Sequence, residues 1–432
     1  MIALCDCNNF YVSIEQIYRP SLKGKPVCVL SNNDASVISR SEECKALGVK
    51  MGQPHFEIMH LEETAGLICL SSNFELIGEV SDRVMSLISG LGPRISQYSV
   101  DEAFVLDLDG IPNLTFRARK LRQRVLDWTG ITIGIGLAPT HTLAKLMNHV
   151  AKAARRKPGS YPLEYADVCN WVEMTQDQQT DVLRRTHISD VWGVGSRYAA
   201  QLAELDIFTA LDLRDAPAAQ IRQRFGVVLE RTVRELQEIS CITTETAPEN
   251  RHQIAWTRSF GAAITDLDSL LEACSEFAFK ASAKLRRLEM RASAVHVFAR
   301  SSLFTDAPRF SQGVTLQLEP ASSDSKVIVS AACAGVRKIW KPNQRITKGG
   351  VILLGLTSNS IEQATLDLLD TPEQQRDQSA LMETMDKLNR RFGDSTVQLA
   401  ATQFGHRKWQ TKRERMTPRY TTVLSEIPIV RA

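Results

Sequence analysis

Two short apolar runs in this chain carry acid where burial is expected. "MIALCDCNNFYVSIEQ" sets Asp6 inside an apolar strand-like start, and "QYSVDEAFVLDLDG" sets Asp101 and Glu102 at the head of another apolar stretch. A charged side chain in such surroundings is costly unless something compensates it. Three carboxylates converging from two neighbouring strands can hold two hard divalent cations, which take oxygen ligands and keep substrate phosphates in their shell. Two such ions can activate an attacking hydroxyl and stabilise a leaving pyrophosphate. On this reading Asp6 bridges the metals, Asp101 and Glu102 complete the shell, and the Cys7 carbonyl adds a main-chain ligand. Strand-end acids facing solvent are the plainer reading. It suits Asp6 taken alone better than the adjacent pair followed by "AFVLDL".

The first 165 or so residues alternate strand and helix patterns. "IALCD", "PVCVLSN", "SVISR" and "ITIGIGLAP" read as strands, and "RISQYSVDEAFVLDL" as a strand pair around the acids. "NNFYVSIEQIY", "SEECKALG", "TFRARKLRQRVLDWTG" and "THTLAKLMNHVAKAARR" read as helices, two of them closed by Gly48 and Gly130. After "RRKPGSYP" the chain turns to short helices. There "DVWGVGSRYAAQLAEL" resembles a helix-hairpin-helix, in which Gly193 and Gly195 let backbone N–H groups approach a DNA phosphate without reading bases. From about 245 to 350, strands at "RHQIAWTRSFGAAI", "RASAVHVFARSS" and "GVTLQLEP" alternate with two helices. A polar linker, the helix "SALMETMDKLNRRFG" and a basic tail follow.

Composition narrows the class. The chain has 432 residues, 43% hydrophobic and 23% charged, which suits a multidomain globular protein. The longest apolar run, "GGVILLGL", is far short of a membrane span, and no secretion signal is read at the N-terminus. Nine scattered cysteines show neither a CxxC pair nor zinc spacing, so they are expected to be reduced, in a cytoplasmic protein. Net charge is only +3, yet basic residues cluster: five without an acid over 334–349, six with one acid over 401–419, five with one over 281–300. That distribution suggests a polyanionic partner.

The motifs "ALCDCNNFYVS", "VLSNNDASVISRSEECKALGVKMGQP", "CLSSNFEL", "YSVDEAFVLDL", "IGIGLAPTHTLAKLMNHVAK", "DVWGVG" and "FGVVLERTVREL" fall in order from residue 1 to about 350. In them the chain resembles the Y-family DNA polymerases, and within them the UmuC/MucB type, the catalytic subunit of bacterial DNA polymerase V. A weaker match continues through "MTPRYTT". The resemblance implies an α/β multidomain right-hand fold. Palm and inserted fingers (about 24–75) fill 1–165, a helix-hairpin-helix thumb 166–242, a little finger 243–350 and a C-terminal extension 351–432. It implies an error-prone translesion DNA polymerase of the SOS response, without a proofreading exonuclease, using two Mg²⁺ ions, primer-template DNA and dNTPs.

Residue by residue, the resemblance makes Asp6, Asp101 and Glu102 the metal-binding acids and Tyr11 a steric gate against a ribose 2′-OH. Lys45 and Lys152 match positions that contact the triphosphate, and Ser99 orients the acids. "QATLDLL" resembles a clamp-binding peptide, with Gln363 hydrogen-bonding and Leu366, Leu368 and Leu369 filling an apolar pocket. A processed UmuD-like dimer, a sliding clamp and a recombinase filament are the implied partners. The chain departs from its relatives at Glu42, where several have an aromatic, at His141, where a template-contacting Lys is common, and at Phe74, in place of a tyrosine. A DNA-binding scaffold with a degenerate palm and a palm-type nucleotidyl cyclase are the competing classes. Intact acids argue against the first, and the helix-hairpin-helix with a basic sheet domain against the second.

Overall fold

In the computed structural model, twelve strands make three sheets among the described residues, which are 1–242, 252–302, 304, 309–359, 379–393, 396–400, 409–427 and 429. The strands are β1 (Ile2–Cys7), β2 (Val27–Leu30), β3 (Val37–Arg40), β4 (Ile68–Ser71), β5 (Arg94–Gln97) and β6 (Glu102–Leu106). Then come β7 (Ile133–Ala138), β8 (Val168–Asn170), β9 (Gln253–Ile264), β10 (Met290–Arg300), β11 (Ser311–Ser322) and β12 (Ile346–Ser358). The chain divides into two units: Met1–Ser31 with Ala35–Ala247 and Arg415–Ala432, and Asn32–Asp34 with Pro248–Glu414.

The first unit centres on the sheet β5-β6-β1-β7-β8. β1 lies between β6 and β7, antiparallel to both, and β8 runs parallel to β7. Successive side chains of a strand face opposite ways, and the cores divide accordingly. Ala3, Cys5 and Cys7 of β1, with Ala103 and Val105 of β6 and Ile133, Ile135 and Leu137 of β7, join one core with helices Phe74–Ile88 and Leu114–Thr129. Ile2, Leu4, Phe104 and Leu106 join the other, under helix His141–Arg156. On that second face β7 offers only Gly134, Gly136 and Ala138. A Cβ on Gly136 would collide with the Ala144 carbonyl and the backbone of Asn148, so the glycine lets the helix lie directly on the strand. Asn148, buried in that helix, donates from Nδ2 to the Gly134 carbonyl at 2.7 Å.

A second sheet, β3-β2-β4, stands in the same unit, with β2 and β4 parallel. The other unit holds the antiparallel sheet β11-β10-β12-β9. Helices Leu267–Arg287 and Ser325–Ile339 share its core.

Two expected boundaries are crossed, one by a sheet and one by a strand. β8 lies past 165 yet extends the first sheet. The boundary at 350 falls inside β12, because "GGVILLGL" is the middle of that strand, paired to β9 and β10. The described parts of 351–432 divide between the two units. Met382, Met385 and Trp409 enter the core of the second unit, and Arg415 onward belongs to the first. No described helix is long and apolar enough to cross a membrane.

That last segment is tied down by specific bonds. Ser71 donates its N–H to the Arg415 carbonyl and Arg415 donates its own to Ser71 Oγ, each at 3.0 Å. Thr417, buried, donates to Glu15 Oε1 at 3.0 Å. Tyr420 stacks on Tyr18 with centroids 5.2 Å apart. Glu15 is 2% exposed and its Oε2 has no partner. Burial pushes its carboxyl up to about 7, against the pull of Thr417 and Arg19. The folded state therefore holds a proton on Glu15 that the unfolded chain releases from about pH 4.5 upward. Its contribution to stability is present below that value and is lost as pH rises through about 7, on the order of 3 kcal/mol in all. Melting temperature measured from pH 5 to 8 should fall more steeply in wild type than in Glu15→Gln; parallel curves would contradict this.

Candidate functional site

The strand register brings the acids together. Asp6 of β1 lies opposite Glu102 of β6 on one side and Gly134 of β7 on the other. By alternation Asp6 and Glu102 share the face of Leu4 and Phe104, the face under helix His141–Arg156. Two lysines of that helix, seven positions apart and so on one side of it, come down onto them. Lys152 Nζ is 2.6 Å from Asp6 Oδ1, and Lys145 Nζ is 3.0 Å from Glu102 Oε2. The Lys152 stem crosses Gly134, where an added Cβ would stand 3.1 Å from its Cγ and Cε. Lys145 also lies over the rings of Tyr98 (4.1 Å), Trp192 (5.3 Å) and Phe104 (5.7 Å).

Asp101 sits in the turn before β6. Its carbonyl accepts from the Cys7 N–H at 2.9 Å, which locks the turn to the end of β1. Ser99 organises the turn. Its Oγ donates to Asp101 Oδ1 at 2.6 Å and accepts from the N–H groups of Asp101 (3.2 Å) and Glu102 (3.0 Å). Burial pushes Asp6 up to about 6, with Lys152 pulling it back and Glu102 raising it. Burial, then the Asp6 charge, also raises Asp101 against its Ser99 bond. Crowded, half-desolvated carboxylates of this kind favour a hard cation, and oxygen-only donors suit Mg²⁺ chemistry. The Cys7 thiol points into the opposite core, where burial holds it protonated, so only its main chain can serve the site.

A basic rim adjoins the acids. Helix Phe10–Tyr18 starts immediately after β1, with Asn9 left-handed at its N-cap. Lys45 Nζ donates to Asn9 Oδ1 (2.7 Å) and Glu42 Oε1 (2.8 Å), and Arg156 reaches Glu42 (3.3 Å) and Asn8 (2.9 Å). Burial lowers the Lys45 ammonium below its ordinary value. Glu42 thus occupies the cations around the helix N-terminus. Tyr11 packs edge-on against Phe10 (6.2 Å) and Phe74 (6.5 Å). Burial and then Asp101 raise its phenol.

The structure therefore gathers Asp6, Asp101, Glu102, Lys152, Tyr11 and Lys45 around one end of the first sheet. Lys145 and Arg156 were not singled out from the sequence; their spacing along one helix above "IGIG" was the available signal. His141 is buried against Phe104 at 4.8 Å, with burial lowering its imidazole, and it cannot act as a surface contact. Gly193, at φ +87°, follows a single 3₁₀ turn (Ile188–Asp190) rather than a full helix, and Gly195 N-caps helix Ser196–Ala203 with open space at its Cα. Gln363, Leu366, Leu368 and Leu369 lie outside the described residues.

Another cluster offers ligand atoms. His55, Glu62 and Cys69 come within 4.8 Å of one another, the one such trio among the described residues. Both Glu62 oxygens are already engaged, by His55 Nε2 at 2.8 Å and Arg415 Nη1 at 2.6 Å, which accounts for the cluster as an ion-pair network. Asp6, Asp101 and Glu102 form a more open group, with two ammonium groups against it.

Residues 5–149 match the impB/mucB/samB family and 251–366 its C-terminal domain, while 379–430 match a domain of unknown function. The chain is 38% identical to protein ImpB of Salmonella typhimurium over 100% of both chains. It is 39% identical to protein UmuC of the same species and 35% to protein MucB of Escherichia coli, each over 99% of both. Among solved structures, a Y-family DNA polymerase chimera of Dbh and Dpo4 matches with a TM-score of 0.64 at 20% identity, covering 83% of this chain and 100% of that one. An insertion ternary complex of Dbh DNA polymerase matches with a TM-score of 0.52 at 21% identity, with the same coverage. A Y-family fold, with acids and lysines assembled at one end of its first sheet and full-length likeness to UmuC and MucB proteins, places this chain in the impB/mucB/samB family, the UmuC/MucB branch of the Y-family DNA polymerases.

Proposed function

We propose that this chain is an error-prone translesion DNA polymerase of the SOS response, joining dNTPs to a primer by two-metal nucleotidyl transfer. The observation that carries the reading is the pairing of Asp6 with Glu102 across β1 and β6, with Asp101 fixed beside them by Ser99. Asp6, Asp101, Glu102 and the Cys7 carbonyl would hold the ions, which the all-oxygen donor set favours as Mg²⁺. When bound, two such ions activate the primer 3′-hydroxyl and stabilise the departing pyrophosphate. The 3′-oxygen forms a bond to the α-phosphorus as the α–β bridging bond breaks.

The chain's own side chains do the rest. Lys45, Arg156 and the N-terminus of helix Phe10–Tyr18 bind the β- and γ-phosphates. Glu42 holds these cations in place before the nucleotide arrives. Lys152 and Lys145 balance the acids. Tyr11, backed by Phe10 and Phe74, packs against the sugar and excludes a 2′-OH. Gly193 and Gly195 offer main-chain N–H groups to the DNA backbone, sequence-independently. A processed UmuD-like dimer, a sliding clamp engaged by Gln363, Leu366, Leu368 and Leu369, and a recombinase filament are the proposed partners, in the cytoplasm.

Primer extension across an abasic site, with Mg²⁺ and those partners supplied, tests this. Asp101→Asn and Glu102→Gln should each lose roughly 10²-fold or more in rate, since each removes metal-held charge stabilisation worth several kcal/mol. Retained extension in both would overturn the two-metal reading. DNA binding by wild type without extension, even on undamaged template, would favour a scaffold. Ser99→Ala should slow incorporation while leaving the melting temperature within a few degrees; an unchanged rate would remove Ser99 from the site.

A further inference from the structure

The domain of unknown function ends in a segment that joins the two helices behind Tyr11. Helix Phe10–Tyr18 carries Tyr11 and, one turn later on the same side, Glu15. Helix Phe74–Ile88 begins with Phe74, whose ring meets that of Tyr11 at 6.5 Å and 90°. Its N-cap is Asn73, whose Oδ1 accepts from the Leu76 N–H at 3.3 Å. Thr417 bonds to both helices. It donates to Glu15 Oε1 at 3.0 Å, and its carbonyl accepts from Asn73 Nδ2 at 3.3 Å. The Pro418 carbonyl accepts from the same Nδ2 at 3.2 Å. Thr417 is 4% exposed, Asn73 1% and Glu15 2%. A threonine is therefore the buried polar node between the helix of Tyr11 and the helix of Phe74.

Flanking contacts hold the node in place. Arg415 is bonded to Ser71 at the end of β4 and to Glu62. Arg419 reaches Glu75 at 3.6 Å, Tyr420 stacks on Tyr18, and Thr421 bonds Glu79. The strap thus anchors to β4 and Glu62 before Thr417 and touches both helices after it. Its bonds end one helical turn from Tyr11 and one residue from Phe74.

We infer that the strap 415–421 is a specificity-positioning element: through Thr417 it fixes the spacing of the two helices that hold Tyr11, and so sets how strictly ribonucleotides are refused. The inference rests on the proposed role of Tyr11 as the steric gate. Thr417 touches neither substrate nor acids, so it is a positioning residue. Without its hydroxyl, Glu15 loses a bond inside a buried site, the helices gain play, and the Tyr11 ring no longer stands rigidly against an added hydroxyl. Deoxynucleotides, which make no clash, are much less affected.

The test is single-nucleotide incorporation by the full-length chain on an undamaged primer-template, with kcat and KM measured for matched dNTP and rNTP. Tyr11→Ala is the control, and it should greatly reduce discrimination. Thr417→Val, nearly isosteric, should reduce discrimination by roughly three- to tenfold, the size expected from losing one neutral hydrogen bond. The change should come from the rNTP arm. Thr417→Ser should restore it, and Thr417→Val added to Tyr11→Ala should reduce it no further. If Tyr11→Ala abolishes discrimination while Thr417→Val leaves it at the wild-type value, the strap inference fails and the gate stands. If Thr417→Val slows dNTP and rNTP equally, the strap is merely structural and the inference fails. If Tyr11→Ala itself leaves discrimination intact, the gate reading fails and takes the inference with it.

Discussion

The closeness of helix His141–Arg156 to β7 is the constraint on which the site depends. β7 alternates isoleucine and leucine toward one core with glycine toward the other, so the helix backbone rests where side chains would normally stand. Only at that distance can Lys152 cross Gly134 and reach Asp6, with Lys145 one side-chain length from Glu102. The same register aligns Gly134, Asp6 and Glu102 across three strands. Packing and electrostatics are thus one problem here. A bulkier β7 would lift the helix and leave three carboxylates with no cation against them.

Much of this was legible because it is periodic. The alternation in "IALCD" and "ITIGIGLAP", the amphipathic helices, and the acids at the strand ends all follow from local pattern, and those elements stand where the pattern puts them. Elements that depend on distant partners were not legible. "GGVILLGL" is apolar throughout and gives no period, and it becomes β12 because β9 and β10 flank it. Helix Phe74–Ile88 was overlooked, though Asn73 is a good N-cap. The return of Arg415–Thr421 to the first unit rests on bonds spanning more than 300 residues, such as Asn73 to Thr417, which no local pattern encodes. His141 stands where a template-contacting Lys is common among relatives, yet its neighbours, above all Phe104, bury it.

The site also shows how charge is distributed before substrate binds. Acids and bases are not left bare: Lys152 sits on Asp6, Lys145 on Glu102, and Glu42 gathers Lys45 and Arg156. Each pairing is only partly exposed and close to the place where cations and phosphates of the proposed reaction would compete for the same groups. Burial still raises Asp6 and Asp101, so the lysines do not fully compensate the carboxylates. The convergence of three carboxylates with oxygen-only donors is the physical argument for divalent ions.

The most direct test of that argument is anomalous scattering from crystals of the full-length chain with primer-template, a non-hydrolysable dNTP and Mn²⁺. The account predicts two manganese peaks, with Asp6 contacting both and Asp101 and Glu102 each contacting at least one. Peaks held by none of these three carboxylates, or a nucleotide bound with no metal beside them, would contradict it.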